Sequence, residues 1–294
     1  MKDMEKAKHW FNIAAQHGHT FYGQLAQSEL NYKYLNLAKK TTAFQVKNLS
    51  MEEQEGLSII KLLAQHDQKN LIQPYIESIF KNSQNPGYIR LIITELDKTN
   101  YTDLKVEVAR RATFYGVLSL KHGYPVLDYV EQHNPLVPKP LLHSIIRQES
   151  SFNVSATDPT GGFGLMQLLL PTAQKTAKLL NIEYNKDKLL QNHEYNIKLG
   201  SKHLADHIEY YKKSYLLGIP AYNAGAHRVD EWINRYGDPR KFKTIYSIID
   251  WTERLPYHTT RDYIHRIIEN VQIYKLLIDG NNKLSIIEDL KFKA

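Results

Sequence analysis

From Leu141 to Phe152 the chain reads Leu-Leu-His-Ser-Ile-Ile-Arg-Gln-Glu-Ser-Ser-Phe. Leu142, Ile145, Ile146 and Glu149 stand at i, i+3, i+4 and i+7, which is one face of a helix. An apolar face therefore ends in a carboxyl group. Partial loss of water and the negative end of the helix dipole both disfavour its ionisation. A pKa raised in this way suits a general acid working near neutrality. Taken on its helix alone, such a glutamate is more often a structural brace than a catalyst. Asp158-Pro159-Thr160-Gly161-Gly162-Phe163-Gly164 follows as a glycine-rich turn that lets backbone approach another group closely. It lacks Gly-Lys-Ser/Thr and a preceding strand, which excludes a nucleotide-phosphate loop. Further on, Tyr222-Asn223-Ala224-Gly225 reads as a turn closing a helix, with Tyr222 either a core aromatic or a hydroxyl donor. His203 and His207 stand at i, i+4 without a convincing third ligand, so no metal centre is expected. No cofactor motif is present.

The elements that must position these groups are helical. Leu57, Ile60, Leu63 and Ala64 make one stripe, and Tyr75, Ile76, Ile79 and Phe80 make another just after Pro74. Leu104, Val108, Ala109 and Ala112 follow a capping pair, Thr102 and Asp103. Ile264, Ile267, Ile268, Val271, Tyr274 and Ile278 form a long stripe that stops at Gly280, a good C-terminal cap. Alternating strand patterns are missing, and the fold class read from this is all-α. Three prolines between His133 and Pro140 forbid a regular helix and mark a boundary. Residues 1–134 read as short helical hairpins of a partial solenoid, and residues 135–294 as the domain that carries the chemistry.

Composition limits the partners. The 294 residues are 42% hydrophobic and 23% charged, as in a globular protein. With no cysteine, disulfides, thiolate catalysis and cysteine-bound metals are excluded. The net charge of +7 is spread along the chain rather than gathered in one arm. It permits a polyanionic partner without requiring one, and nucleic acid is not expected. Met1 to Lys8 is a charged run, unlike a secretory signal.

Several of these blocks together resemble one family. Arg147-Gln148-Glu149-Ser150-Ser151-Phe152-Asn153, Gly164-Leu165-Met166-Gln167 and Ala221-Tyr222-Asn223-Ala224-Gly225 are similar to the ordered motifs of the soluble lytic transglycosylases. Asn196-Ile197-Lys198-Leu199-Gly200 resembles a helix between the second and third motifs. Glu253-Arg254-Leu255-Pro256-Tyr257 with Thr260-Arg261-Asp262-Tyr263 resembles the last motif. Any block alone is weak, whereas five in order are specific. Upstream, Ala7 to Ala15 and Phe21 to Ala26 are similar to the helical repeats that precede the catalytic domain in ring-shaped members.

The resemblance implies a lysozyme-like catalytic domain related to goose-type lysozyme. It implies cleavage of the β-1,4 bond between N-acetylmuramic acid and N-acetylglucosamine in peptidoglycan. Glu149 would protonate the glycosidic oxygen and then take a proton from the sugar's own C6 hydroxyl, closing a 1,6-anhydro ring. One carboxylate suffices because an attached nucleophile replaces an activated water. Tyr222 would hydrogen-bond near Glu149 and hold it. Gln167, Met166, Leu169, Asn223 and Glu253 would line the sugar groove, with Arg261 and Tyr263 in a supporting role. Asp158 stands where the family usually has a serine, and its charge would raise the pKa of Glu149 further if the two are close. A second carboxylate there also opens a hydrolytic route. The implied partner is the peptidoglycan glycan strand, the implied place periplasmic, and peripheral attachment to membrane or cell-wall complexes stays open. The alternatives are a hydrolytic muramidase of goose-lysozyme type and a degenerate glycan-binding helical module.

Overall fold

The computed structural model describes residues 2–37, 49–132 and 136–291. His133 to Pro135, the first three residues of the proline-rich boundary, lie outside the described residues. In chain order the helices are α1 (Lys2–Ala14), α2 (Phe21–Glu29), α3 (Met51–Gln65), α4 (Lys69–Asn82), α5 (Pro86–Asp97) and α6 (Thr102–Ala112). Then come α7 (Leu120–Gly123), α8 (Asp128–Glu131), α9 (Lys139–Ser150), α10 (Leu170–Leu179), α11 (Lys188–Gln191) and α12 (His193–Tyr210). The last are α13 (Tyr215–Ala224), α14 (Ala226–Tyr236), α15 (Ile245–Glu253), α16 (His258–Asp279) and α17 (Ile286–Leu290). The sole departure from helix among the described elements is a two-stranded antiparallel ribbon, β1 (Gly162–Phe163) and β2 (Leu168–Leu169), pairing Gly162 with Leu169. The fold is all-α.

The chain forms two compact units. One comprises Ala38–Pro125 with Ser151–Asn153, and the other Met1–Leu37, Val126–Ser150 and Val154–Ala294. This differs from a division at residue 134, because the first 37 residues group with the C-terminal unit. In the smaller unit α3 to α7 stack as successive hairpins. Ile60, Ile72, Ile76, Ile89, Ile92 and Leu104 form its core, as the stripes require. A capping box starts α3: Ser50 Oγ accepts from the Glu53 amide and Glu53 accepts from the Ser50 amide. The same carboxylate accepts from Ser83 and Asn85, which binds α3 to the turn after α4.

Two local expectations are corrected here. Pro74 does not precede α4 but lies inside it, because the buried Ile72, Ile76 and Ile79 carry the helix through the missing N–H. Thr102 and Asp103 do not cap α6: Tyr101 holds that position without a side-chain cap. Asp103 instead pairs with Lys69 at 2.6 Å.

In the larger unit α9 packs along α16, and α12 packs on α13. Leu141, Leu142, Ile145 and Ile146 of α9 and Ile264, Ile267 and Ile268 of α16 are fully buried. Gly280 ends α16 in the left-handed region at φ 63°, where glycine avoids the Cβ clash. The N-terminal helices are fastened to α16 by a buried charge. The Phe21 amide donates to Glu269 Oε2 at 2.6 Å, and Arg266 donates to Oε1 at 3.1 Å. Gln24 adds a bond to the Glu269 carbonyl at 3.1 Å. Burial raises the Glu269 pKa, and Arg266 acts against that rise.

Truncating Glu269 leaves the Phe21 amide without an acceptor. We expect Glu269→Ala to lower unfolding free energy by about 2–3 kcal/mol in urea denaturation. An unchanged midpoint would show that α2 is held without the Glu269 carboxylate.

Candidate active site

Glu149 stands in the last turn of α9, half-buried. Its helix ends abruptly, with Ser151 at φ 52° and Phe152 at φ 69°. Two successive non-glycine residues in the left-handed region store strain directly after the carboxyl group. Ser150 Oγ donates to the Leu165 carbonyl at 2.9 Å, which ties the helix end to the glycine-rich loop.

That loop is held from below by Asn196 of α12. Its Oδ1 accepts from the Met166 amide at 2.9 Å, and its Nδ2 donates to the Phe163 and Leu189 carbonyls. Asn196 is buried with its amide fully engaged. Gly164, at φ 72°, passes so close that a Cβ would lie 2.2 Å from the Leu189 carbonyl oxygen. Only glycine fits there.

Tyr263 of α16 donates to Glu149 Oε1 at 2.5 Å. Tyr222 of α13, expected to hold the glutamate, donates instead to the Met166 carbonyl at 2.6 Å. The correction has a geometric cause: the carbonyl of the loop residue lies within reach of the Tyr222 hydroxyl and needs a donor. Both phenols are held well above the usual tyrosine value, first by burial and then by the charge of Glu149. Each is therefore a donor at neutral pH. Burial, the largest cause, pushes Glu149 up to about 7; the Tyr263 bond acts against it and the charge of Asp158 adds to it.

The other expected residues divide. Asp158 is exposed, and its Oδ1 accepts from the Thr160 amide, the Thr160 hydroxyl and the Gly162 amide at 2.7, 2.6 and 3.1 Å. These bonds lower its pKa, led by the Thr160 hydroxyl, and fold the carboxylate into its own turn. Gln167 takes φ 48° and spends its amide hydrogens on the Ala156 and Gly164 carbonyls. Its side chain braces the loop. Met166 is fully buried against Gly200, behind the surface rather than on it, while Leu169 of β2 is 46% exposed. Asn223 is exposed and accepts from the Thr260 hydroxyl at 3.0 Å. Pro220 lies inside α13 without ending it.

Glu253 is exposed but partnered. Its Oε1 accepts from the Tyr22 hydroxyl of α2 and lies 3.3 Å from His265 Nε2. Phe21 stacks on the His265 ring at 4.2 Å. Arg261 donates to the Glu253 backbone carbonyl, not to its carboxylate. Sequence reasoning missed this cluster, because nothing in the spacing links residue 22 to residue 253. It did mark the block that holds Tyr263 without giving Tyr263 the contact to Glu149.

Residues 130–245 match the model of the transglycosylase SLT domain. A putative soluble lytic murein transglycosylase of Haemophilus influenzae is 26% identical over 89% of this chain. The soluble lytic murein transglycosylase of Escherichia coli is 28% identical over 47% of it. The chain spans 43% of the length of the first and 21% of the second. The crystal structure of the 70 kDa soluble lytic transglycosylase of Escherichia coli superposes with a TM-score of 0.74 at 20% identity. It covers 97% of this chain and 45% of that one. A Pseudomonas aeruginosa lytic transglycosylase, solved as an inactive glutamate-to-glutamine mutant, gives 0.75 at 19% identity over 94% of this chain and 44% of that one. The SLT domain as matched contains Glu149, Gln167, Asn196 and Tyr222. The Tyr263 donor on α16 lies beyond it.

The signs around Glu149 make a test in which two substitutions move one pKa in opposite directions. Tyr263 stabilises the carboxylate, so Tyr263→Phe raises the Glu149 pKa and moves the alkaline limb of activity upward. Asp158 repels the carboxylate, so Asp158→Asn lowers that pKa and moves the limb downward. A pH–rate profile in which both variants shift the same way would refute the arrangement.

Proposed function

We propose that this chain is a peptidoglycan lytic transglycosylase, with Glu149 as its single acid/base catalyst. The observation that carries this reading is a half-buried carboxyl group poised near pH 7 and held by one phenol donor. Such a group is protonated often enough to give its proton to a glycosidic oxygen. It is weak enough as an acid to take a proton back in the next step. The Haemophilus and Escherichia relatives bear the name of that activity, and the SLT domain holds the glutamate.

In this mechanism Glu149 protonates the oxygen between N-acetylmuramic acid and N-acetylglucosamine. The leaving bond breaks with oxocarbenium character at the muramic C1. The carboxylate left behind takes the proton of the C6 hydroxyl as that oxygen closes on C1, giving a 1,6-anhydro end. Proximity within one sugar supplies what a second carboxylate gives an ordinary glycosidase. Asp158 is poorly suited to activate water, because the three donors of its own turn on Oδ1 hold its pKa below the usual carboxylate value and so make it a weak base. Tyr263 orients Glu149. Tyr222 and Asn196 hold the loop through Met166, and Gln167 braces it from within. Leu169, Asn223 and the rim of the Asp158 turn are the exposed surfaces offered to the glycan, with Glu253 a further polar contact. Among the described residues no helix is long and apolar enough to cross a membrane. Intact glycan strands lie outside the cytoplasmic membrane, and we place the enzyme's work there, in a periplasmic setting.

Digestion of purified sacculi followed by mass spectrometry tests the reaction. Anhydro ends weigh one water less than the reducing ends a goose-type muramidase leaves. We expect anhydro products from the parent chain and from Asp158→Ser alike. Glu149→Gln should cut lysis by roughly 100-fold or more. Reducing ends from the parent would give the reaction to water, and undiminished lysis by Glu149→Gln would remove the catalytic assignment.

The same carboxyl group links pH to stability. Its folded pKa stands above the unfolded value, so its contribution is fully present below about 4.5 and is lost as pH rises through about 7. Glu149→Gln should therefore raise the melting temperature at pH 8 more than at pH 5. Equal gains at both would show that the group is solvated.

A further inference from the structure

His203 and His207 lie one turn apart on α12, both half-buried. Their Nε2 atoms are 3.3 Å apart, and the rings meet edge-on with centroids 4.4 Å apart. Two imidazole nitrogens, each about 2.0–2.1 Å from a tetrahedral ion, stand about 3.3–3.4 Å from one another. The separation in this helix is that of a metal-ligand pair. We propose that His203 and His207 form an exchangeable binding site for a divalent transition-metal ion, with the two Nε2 atoms as ligands.

The chemistry of the pair suits the role. Burial is the main cause that holds both rings below the usual histidine value, His203 at about 4, so both are neutral at physiological pH. A neutral imidazole offers a lone pair. Without metal, one Nε2–H donates to the other Nε2. When an ion enters, the donor ring moves its proton to Nδ1, and both Nε2 lone pairs point to the ion. No proton is released overall.

The surroundings set the strength. Among the described residues no third His, Cys, Asp or Glu joins the pair to make a set of three, so water completes the shell. Asp206 lies beside the rings and its charge favours a cation, although its carboxylate is engaged by Lys202. Lys175 of α10 opposes the cation. The 3.3 Å separation is that of a tetrahedral ion such as zinc. Copper(II), held more strongly by nitrogen ligands than nickel or zinc, serves as the probe, and its square-planar preference draws the two nitrogens slightly closer. The site also abuts the domain's centre, since the His203 ring lies 5.3 Å from that of Tyr222.

Copper(II) titrated into the intact chain, read by electron paramagnetic resonance, tests the site. We expect one tight equivalent with hyperfine coupling to two imidazole nitrogens. His203→Gln and His207→Gln should each weaken that binding by about tenfold or more, the scale set by losing a metal-site partner. Copper bound equally well by both variants would assign it to other histidines of this chain. Coupling to one nitrogen, or no stoichiometric copper in the intact chain, would overturn the proposal.

Discussion

A carboxyl group that must keep a proton near neutrality has to be drawn out of water, and once there it cannot be left without a partner. In this chain the partner of Glu149 is the Tyr263 hydroxyl, and the two effects oppose each other. Burial alone would lock the proton in place, and a hydrogen bond in open water would let it go. The arrangement depends on α9 and α16 lying side by side, because each contributes one half of the contact. The apolar faces that press those helices together are therefore part of the acid–base chemistry, although none of their side chains is polar.

A second constraint acts on the loop from Ala156 to Leu169. Its backbone turns through left-handed residues, and its polar groups would be costly to bury unpaired. Asn196, Tyr222, Gln167 and Ser150 satisfy its amides and carbonyls, and Asp158 closes the turn on itself. The motif resemblance reads Gln167 as a contact to sugar and Tyr222 as the partner of Glu149. In the folded chain their first duty is toward the protein. A site built this way is rigid before any ligand arrives, which is where preorganisation has its effect.

How much of this was legible in the sequence follows the range of each interaction. Periodicity located the helix under Glu149 and the end of α16 at Gly280, because both depend on neighbours within a few residues. It misplaced the start of α4 and the cap of α6, since core burial of Ile72 and Ile76 overrode proline, and Lys69 claimed Asp103. Family resemblance marked the right blocks but exchanged two tyrosines. Tyr222 and Tyr263 are equally able donors, and only the path of the backbone decides which reaches the carboxylate. Met166 was read as a groove residue because its neighbours are. Its fit against Gly200, thirty-four positions on, is invisible to local pattern. The Tyr22, Glu253 and His265 cluster lay beyond reach for the same reason.

The clasp between α2 and α16 bears on how such a unit can be inherited. A stretch of sequence can be shuffled between genes as a cassette only if its ends coincide with the ends of its packing. Here the matched stretch stops at residue 245, while the donor to its glutamate comes from α16 and the buried anchor of α16 comes from α2. A recombination event cutting at the edges of the recognisable segment would leave Glu149 without its phenol donor. The portable piece is larger than its signature, and it is discontinuous: α2 and α16 must travel with it.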